Sequence, residues 1–174
     1  KLLIFDAELI NTHGGSIRFY VAKKDSKYKI SKSVKKIYNS EINQKLNKFS
    51  TYKKFSLRVQ NSKKQLIKLL KKLKKANKKV ISYGATYKSA TIFNYCNIDK
   101  SLINYVVDTT KNKQWKYTPG KHLLIKPPID MIKKKIDYAF LGAWNFSKEI
   151  IAKEKKFIKN GGKFITHVPK VRLI

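Results

Sequence analysis

The segment Tyr83-Gly84-Ala85-Thr86-Tyr87-Lys88 joins an apolar run to a helical one, the place where open α/β sheets bind ligands. Backbone amides at a helix start can hold a phosphate, and Lys88 would add positive charge beside them. No GxGxxG and no Walker lysine accompany the segment, so it also reads as a tight strand-to-helix turn around Gly84. Asp108 ends the next apolar run, where a carboxylate could accept hydrogen bonds from ribose hydroxyls or equally cap the turn that follows. In the loop from Lys111 to Pro119, Trp115 and Tyr117 stand between lysines that include Lys113. Aromatic faces beside cations suit a base stacked next to a phosphate, while Tyr117-Thr118-Pro119-Gly120 also has the composition of a structural turn.

Trp144-Asn145 ends a third apolar run, again at a carboxyl edge, with Glu149 in the first turn of the next helix; Asn145 reads as a helix cap or as a ligand contact. Near the start of the chain, Thr12-His13-Gly14-Gly15-Ser16 is followed by Arg18. A histidine in a turn is usually only solvated, although imidazole is the side chain best suited to proton transfer near neutral pH. These pieces assemble no Ser/His/Asp arrangement, no paired catalytic carboxylates and no metal cluster. No catalytic residue is therefore expected in this chain.

The elements that must position these residues follow from periodicity. Leu2 to Leu9 and Ser16 to Ala22 read as two strands of a hairpin with turn residues between them. Such a hairpin is marginal alone and must pack on something. From Ser31 to Asn77 the pattern is helical, with a joint expected near Phe49 to Thr51. The stretch Ser62 to Lys79 sets leucines at helical spacing against lysines, as a membrane-surface or calmodulin-target helix would, but it leads directly into a strand and reads as a packed crossover helix. Strands are then expected at Val80 to Tyr83, Ile103 to Asp108, Leu123 to Ile125, Tyr138 to Ala143 and Lys163 to Val168, with helices at Ser89 to Cys96 and Ser147 to Asn160, the latter stopped by Gly161-Gly162. This alternation predicts an α/β fold: a Rossmann-like, three-layer domain with a mainly parallel sheet, preceded by a β-hairpin and a helical segment. The expected divisions are 1–30, 31–79 and 80–174.

With 174 residues, 42% of them hydrophobic, the chain can bury a substantial core. Its formal charge of +31 would ordinarily suggest nucleic acid or an anionic surface. Only Arg18, Arg58 and Arg172 are arginines, however, against 38 lysines in dispersed doublets, and phosphate and base readout favour the bidentate guanidinium. The lysines read as compositional bias on a solvated surface, which argues against nucleic acid as the partner. Cys96 stands alone and His13, His122 and His167 are far apart, so neither an intrachain disulfide nor a zinc site is expected, and a cytoplasmic setting fits. No apolar stretch approaches the ~20 residues of a membrane span. The sequence opens at Lys1 inside an apolar run, which predicts a fragment of a longer protein.

Several short segments, taken in order, carry a resemblance. They are Thr12 to Arg18, Tyr83 to Lys88, Asp108 through Lys113-Gln114, Tyr117-Thr118-Pro119-Gly120, Ala143-Trp144-Asn145-Phe146 with Glu149-Ile150, and Gly161 to Ile165. This ordered series resembles the C-terminal domain of sugar C-methyltransferases, which act on thymidine-diphosphate keto-deoxysugars. The resemblance covers nearly the whole chain. It implies an upstream zinc-binding domain, a middle domain that binds S-adenosylmethionine, and this Rossmann-like domain, with the nucleotide-linked sugar lying between the last two.

The resemblance implies that S-adenosylmethionine serves the complete enzyme and is not bound by this chain alone. The upstream methyl-donor domain, in cis or in trans, becomes the expected partner, with Lys1 to Lys24 as that domain's last hairpin. The family's tyrosine, glutamate and histidine motif would precede Lys1. Substrate contacts are expected at His13, Arg18, Tyr83, Gly84, Lys88, Asp108, Lys113, Tyr117, Trp144 and Asn145. Two positions depart from the family pattern: Ser89 and Trp115 stand where similar proteins have glycine, and a side chain at either limits how closely backbone can approach a ligand.

Overall fold

A computed structural model describes every residue from Lys1 to Ile174 and divides by its internal contacts into two compact units, Lys1–Arg58 and Val59–Ile174. In the first unit, β1 (Leu2–Ile10) and β2 (Ser16–Lys23) form the expected antiparallel hairpin, with a register irregularity between Ile4 and Asp6. Helix α1 (Lys32–Asn43) follows, and Asp6 of β1 holds its start. Asp6 Oδ1 accepts the hydroxyls of Ser31 at 2.7 Å and Ser33 at 2.5 Å, which together with the Ala7 amide keep its carboxyl below the ordinary aspartate range, Ser33 contributing most. Ser31 is itself the N-cap, accepting from the Val34 amide. Stacking of Phe5 on Tyr28 at 4.3 Å ties the loop after β2 to the hairpin.

Helix α2 (Phe49–Lys75) crosses from the first unit into the second. The break that separates it from α1 falls at Gln44 to Lys48, before the expected joint, because Lys45 takes a left-handed conformation (φ +57°) that ends α1. In the second unit Leu66, Leu70 and Leu73 of α2 are buried. Each removes a large side chain from water, worth about 1.5–3 kcal/mol, which makes α2 a core helix as its sequence predicts.

The sheet of the second unit has the order β5-β4-β3-β6-β7-β8. Its strands are β3 (Val80–Tyr83), β4 (Val106–Val107), β5 (Ile125–Lys126), β6 (Tyr138–Leu141), β7 (Lys163–Thr166) and β8 (Arg172–Leu173). All pairings are parallel except that of β8, an antiparallel edge strand that the sequence pattern does not reveal because two residues carry no periodicity. The ladders of β4 and β5 are shorter than their apolar runs, although the Asn104 amide still bonds Val80 and the Ser82 amide bonds Tyr105.

Alternation along the strands makes the three layers. Val80, Val106, Phe140 and Ile165 pack with α2 and α3 (Tyr87–Cys96) on one face. Ile81, Tyr83, Val107, Leu141 and Phe164 pack on the other against α4 (Asp130–Lys133), α5 (Ser147–Lys153) and α6 (Lys155–Lys159). The single helix expected over Ser147 to Asn160 is thus two, broken at Glu154 (φ −94°, ψ 34°), while Gly161 (φ +85°) ends α6 as anticipated. No helix is long and apolar enough to cross a membrane.

Candidate functional site

Strand order reverses between β3 and β6, so the loops at their carboxyl ends border the topological switch point, where open α/β sheets form a ligand crevice. The loop from Gly84 to Thr86 is pinned there on both sides. Toward β4, the Ala85 amide donates to Asp108 Oδ2 at 2.7 Å, and Lys113 Nζ donates to the Ala85 carbonyl at 2.9 Å while lying 3.5 Å from the same carboxylate. Toward β6, the Thr86 hydroxyl donates to the Gly142 carbonyl at 3.1 Å. Gly84 has φ +96°, and a Cβ placed on it would stand 2.7 Å from Ala143 Cβ, so glycine is required by both conformation and close approach.

Thr86 caps α3. Its hydroxyl accepts the Ser89 amide at 3.1 Å and Ser89 Oγ accepts the Thr86 amide at 2.9 Å, a reciprocal capping box. Helix α3 therefore starts two residues earlier than expected, and Ser89 is explained by the cap rather than by a ligand.

Two cavities flank this pinned loop, with Thr86 and Lys113 in the walls of both. The smaller, about 270 Å³, is floored by Tyr83, Gly84 and Asp108, with Glu149 and Lys153 among its lining. The larger, about 500 Å³, lies between Tyr87 and Ala90 of α3 and the segment Lys116 to Pro119. That volume falls in the range of small-ligand sites. Tyr117 is 63% exposed and Thr118 is buried, its Oγ1 accepting the Leu123 amide at 3.0 Å, so the Tyr117-Thr118-Pro119-Gly120 segment is a built turn that also presents an aromatic ring.

The structure places the sequence-predicted residues unequally. Tyr83, Gly84, Asp108 and Lys113 come together around the smaller cavity, and Lys113 and Tyr117 around the larger. Lys88 lies over the Trp144 ring at 5.0 Å. Trp144 and Asn145 occupy a 3-10 turn between Ala143 and Phe146, both of which line the smaller cavity. The helix-cap reading of Asn145 is not realised, because α5 starts from Phe146 with no side-chain cap. His13 and Arg18 belong to the first unit: His13 is left-handed (φ +56°) in the hairpin turn and Arg18 pairs with Glu8 at 2.5 Å.

Two of the predicted side chains are already engaged. Both carboxylate oxygens of Asp108 accept backbone amides, Oδ2 from Ala85 and Oδ1 from Thr110 at 2.8 Å, so Asp108 caps the turn that follows it and each oxygen keeps a further acceptor site. The Tyr83 hydroxyl donates to Glu154 Oε1 at 2.8 Å, and burial, with that carboxylate, pushes its pKa well above the ordinary tyrosine range. Tyr83 therefore stands in the cavity wall as a neutral hydroxyl held by Glu154.

Glu154, Lys153 and Thr86 escaped the sequence reading. The Thr86-x-x-Ser89 spacing was a usable capping signal, whereas nothing in the sequence links Glu154 to Tyr83.

Comparison with known proteins adds to this geometry. A family model for the C-methyltransferase C-terminal domain matches residues 11–169. The C-methyltransferase NovU of Streptomyces niveus is 32% identical over 173 residues, 99% of this chain and 41% of the relative. The chain thus spans well under half the length of the curated relative it matches. Among solved structures, UDP-D-quinovosamine 4-dehydrogenase from Vibrio fischeri aligns with a TM-score of 0.41 at 18% identity, covering 56% of this chain and 93% of that one.

Proposed function

The chain belongs to the C-methyltransferase C-terminal domain family, and from that premise we propose that it positions a nucleotide-diphosphate keto-sugar for C-methylation by the complete enzyme. The observation that carries the reading is the pair of cavities at the switch point sharing Lys113 in their walls. In this reading Lys113 and the amides at the start of α3 meet the diphosphate, the Tyr117 ring covers the base, and the sugar extends toward Gly84, Trp144 and Asn145. Lys88, held over Trp144, adds charge near the same edge.

S-adenosylmethionine supplies the methyl group in the complete enzyme. In this reading the sugar nucleotide takes the switch-point cavities, which leaves S-adenosylmethionine no place among these residues. The methyl donor and the base that removes the proton beside the ketone therefore belong to an upstream domain, in cis or in trans. Within this proposal residues 1–30 complete that domain, 31–79 connect it and 80–174 carry the sugar nucleotide. His13 and Arg18 are assigned to the donor side. Holding the substrate in a reactive geometry is the contribution of this chain. Metabolism of a nucleotide sugar and a lone Cys96 agree with a cytoplasmic setting.

Calorimetric titration with thymidine diphosphate at low and at physiological salt tests the reading, with a single-stranded oligonucleotide as control. Saturable nucleotide binding that survives physiological salt, and weakens about tenfold in Lys113→Gln and in Tyr117→Ala, is the expected result. Binding of the oligonucleotide alone, lost as salt rises, would replace it with a basic binding module.

A further inference from the structure

A surface cleft larger than either switch-point cavity lies elsewhere on the second unit. It runs along α2, has a volume of about 860 Å³, and has lysine at six of its nine lining positions. Lys64, Lys68, Lys71, Lys72 and Lys75 form its rim on one stripe of the helix. From Lys64 to Lys75 that stripe is three turns, roughly 16 Å long. The floor is Ile67 with Tyr95 of α3, together with the aliphatic stems of the lysines.

No Asp or Glu occurs anywhere from Phe49 to Lys75, so none of these lysines has an acidic partner on its own helix. Pairs such as Lys64 with Lys68, Lys68 with Lys72 and Lys71 with Lys75 repel at i,i+4 spacing. Packing of Leu66, Leu70 and Leu73 holds the helix in spite of that repulsion. Here the charge rims a concave, mainly apolar trough.

We propose that this cleft docks an acidic amphipathic segment of a partner protein, its apolar side on Ile67 and Tyr95 and its carboxylates on the lysine rim. Two observations select this occupant. Nucleic acid is recognised best by guanidinium forks, but no arginine lines the cleft. An apolar floor with a rim of one charge matches a helix that presents apolar and acidic residues on its two sides.

The proposal stands independently of the sugar-nucleotide site and is tested on the whole chain. The probe is a fluorescent synthetic amphipathic helix with Leu on one face and Glu on the other, followed by anisotropy at about 0.15 M salt. Its Gln-for-Glu counterpart, a single-stranded oligonucleotide and phosphatidylserine vesicles serve as alternatives. Saturable binding of the acidic helix, weakened about tenfold by Lys68→Glu/Lys71→Glu, is expected. Exposed Lys133 and Lys159 lie on the opposite face of the sheet, and Lys133→Glu/Lys159→Glu, of the same net charge, should change binding by less than about twofold.

The cleft variant should melt at the same or a higher temperature than the parent, because each new carboxylate faces Lys64, Lys72 or Lys75. Lys64→Gln/Lys72→Gln repeats the test without charge reversal. Equal weakening by the cleft and control variants would overturn the proposal in favour of diffuse charge. Preference for the oligonucleotide, for the vesicles or for the Gln counterpart would overturn it, as would the absence of saturable binding.

Discussion

His167 has no role at the switch point, yet its environment sets a measurable property. Its ring is 8% exposed, stacks on Phe140 at 5.2 Å, and has Nδ1 without a partner. Burial lowers its pKa to about 4. An unfolded histidine titrates near 6.5, so between those values the unfolded chain takes up a proton that the folded chain refuses. Stability is therefore complete above about pH 6.5 and declines as pH falls, by about 3 kcal/mol near pH 4. Urea unfolding across that window should show the decline in the parent and a flatter profile in His167→Leu; identical profiles would mean that imidazole protonation is not what the fold resists. Trp115 tests another single position. It holds φ +67° with its side chain 64% exposed, a conformation that costs an L-residue about 1–2 kcal/mol, against about 0.5–1 kcal/mol for the extra chain entropy of glycine. Trp115→Gly should therefore leave the melting temperature unchanged or raise it, and a clear drop would show that the indole packs. The departure from glycine at this position was visible in the sequence, but its sign was not, because backbone handedness is set by the Trp115 amide bonding back to Ile125.

At the scale of elements, the loop between β3 and α3 shows what a pattern of residue types can and cannot reveal. A strand, a glycine turn and a helix in that order were legible in the periods of two and 3.6 and in Gly84. The clasp was not, because Asp108, Lys113 and Gly142 reach the loop only after the sheet has brought β4 and β6 to either side of β3. For the same reason the sequence left Asp108 open between a ribose contact and a turn cap, and only the fold brings its oxygens to the Ala85 and Thr110 amides. Helix α5 likewise read as continuous with α6, since nothing local marks Glu154 as the residue that meets Tyr83 across the layer. Gly84→Ala probes the clasp directly. It adds a Cβ 2.7 Å from that of Ala143 at a positive φ, so a loss of about 2–4 kcal/mol in unfolding free energy is expected. Adding Ala143→Gly should recover the steric part and leave the conformational part, a coupling that a double-mutant cycle measures. Additive effects would mean that β3 and β6 do not approach as closely as the geometry requires.

For the whole molecule, fold class was legible because alternating elements leave few topologies, and the observed order β5-β4-β3-β6-β7 is one of them. Charge was legible in amount and, through the helical spacing of Ser62 to Lys79, in its helix, but the sequence does not say that those lysines surround a cleft. A formal +31 stands against four ion pairs, Arg18–Glu8, Lys78–Asp137, Lys113–Asp108 and Lys126–Asp130. Exposed pairs such as Arg18–Glu8 and Lys78–Asp137 contribute about 0–1 kcal/mol each, so self-repulsion among the excess lysines should outweigh the pairing. Raising salt from about 0.01 M to about 0.15 M shrinks the screening length from ~30 Å to ~8 Å, which weakens long-range repulsion more than contacts at 2.5–3.6 Å. The melting temperature should rise by several degrees over that interval, more in the parent than in a variant with several exposed lysines replaced by glutamine. A fall on adding salt would mean that the ion pairs dominate, and would move Lys113 and Asp108, the pair that clasps the site, from a positioning device to a principal support of the fold.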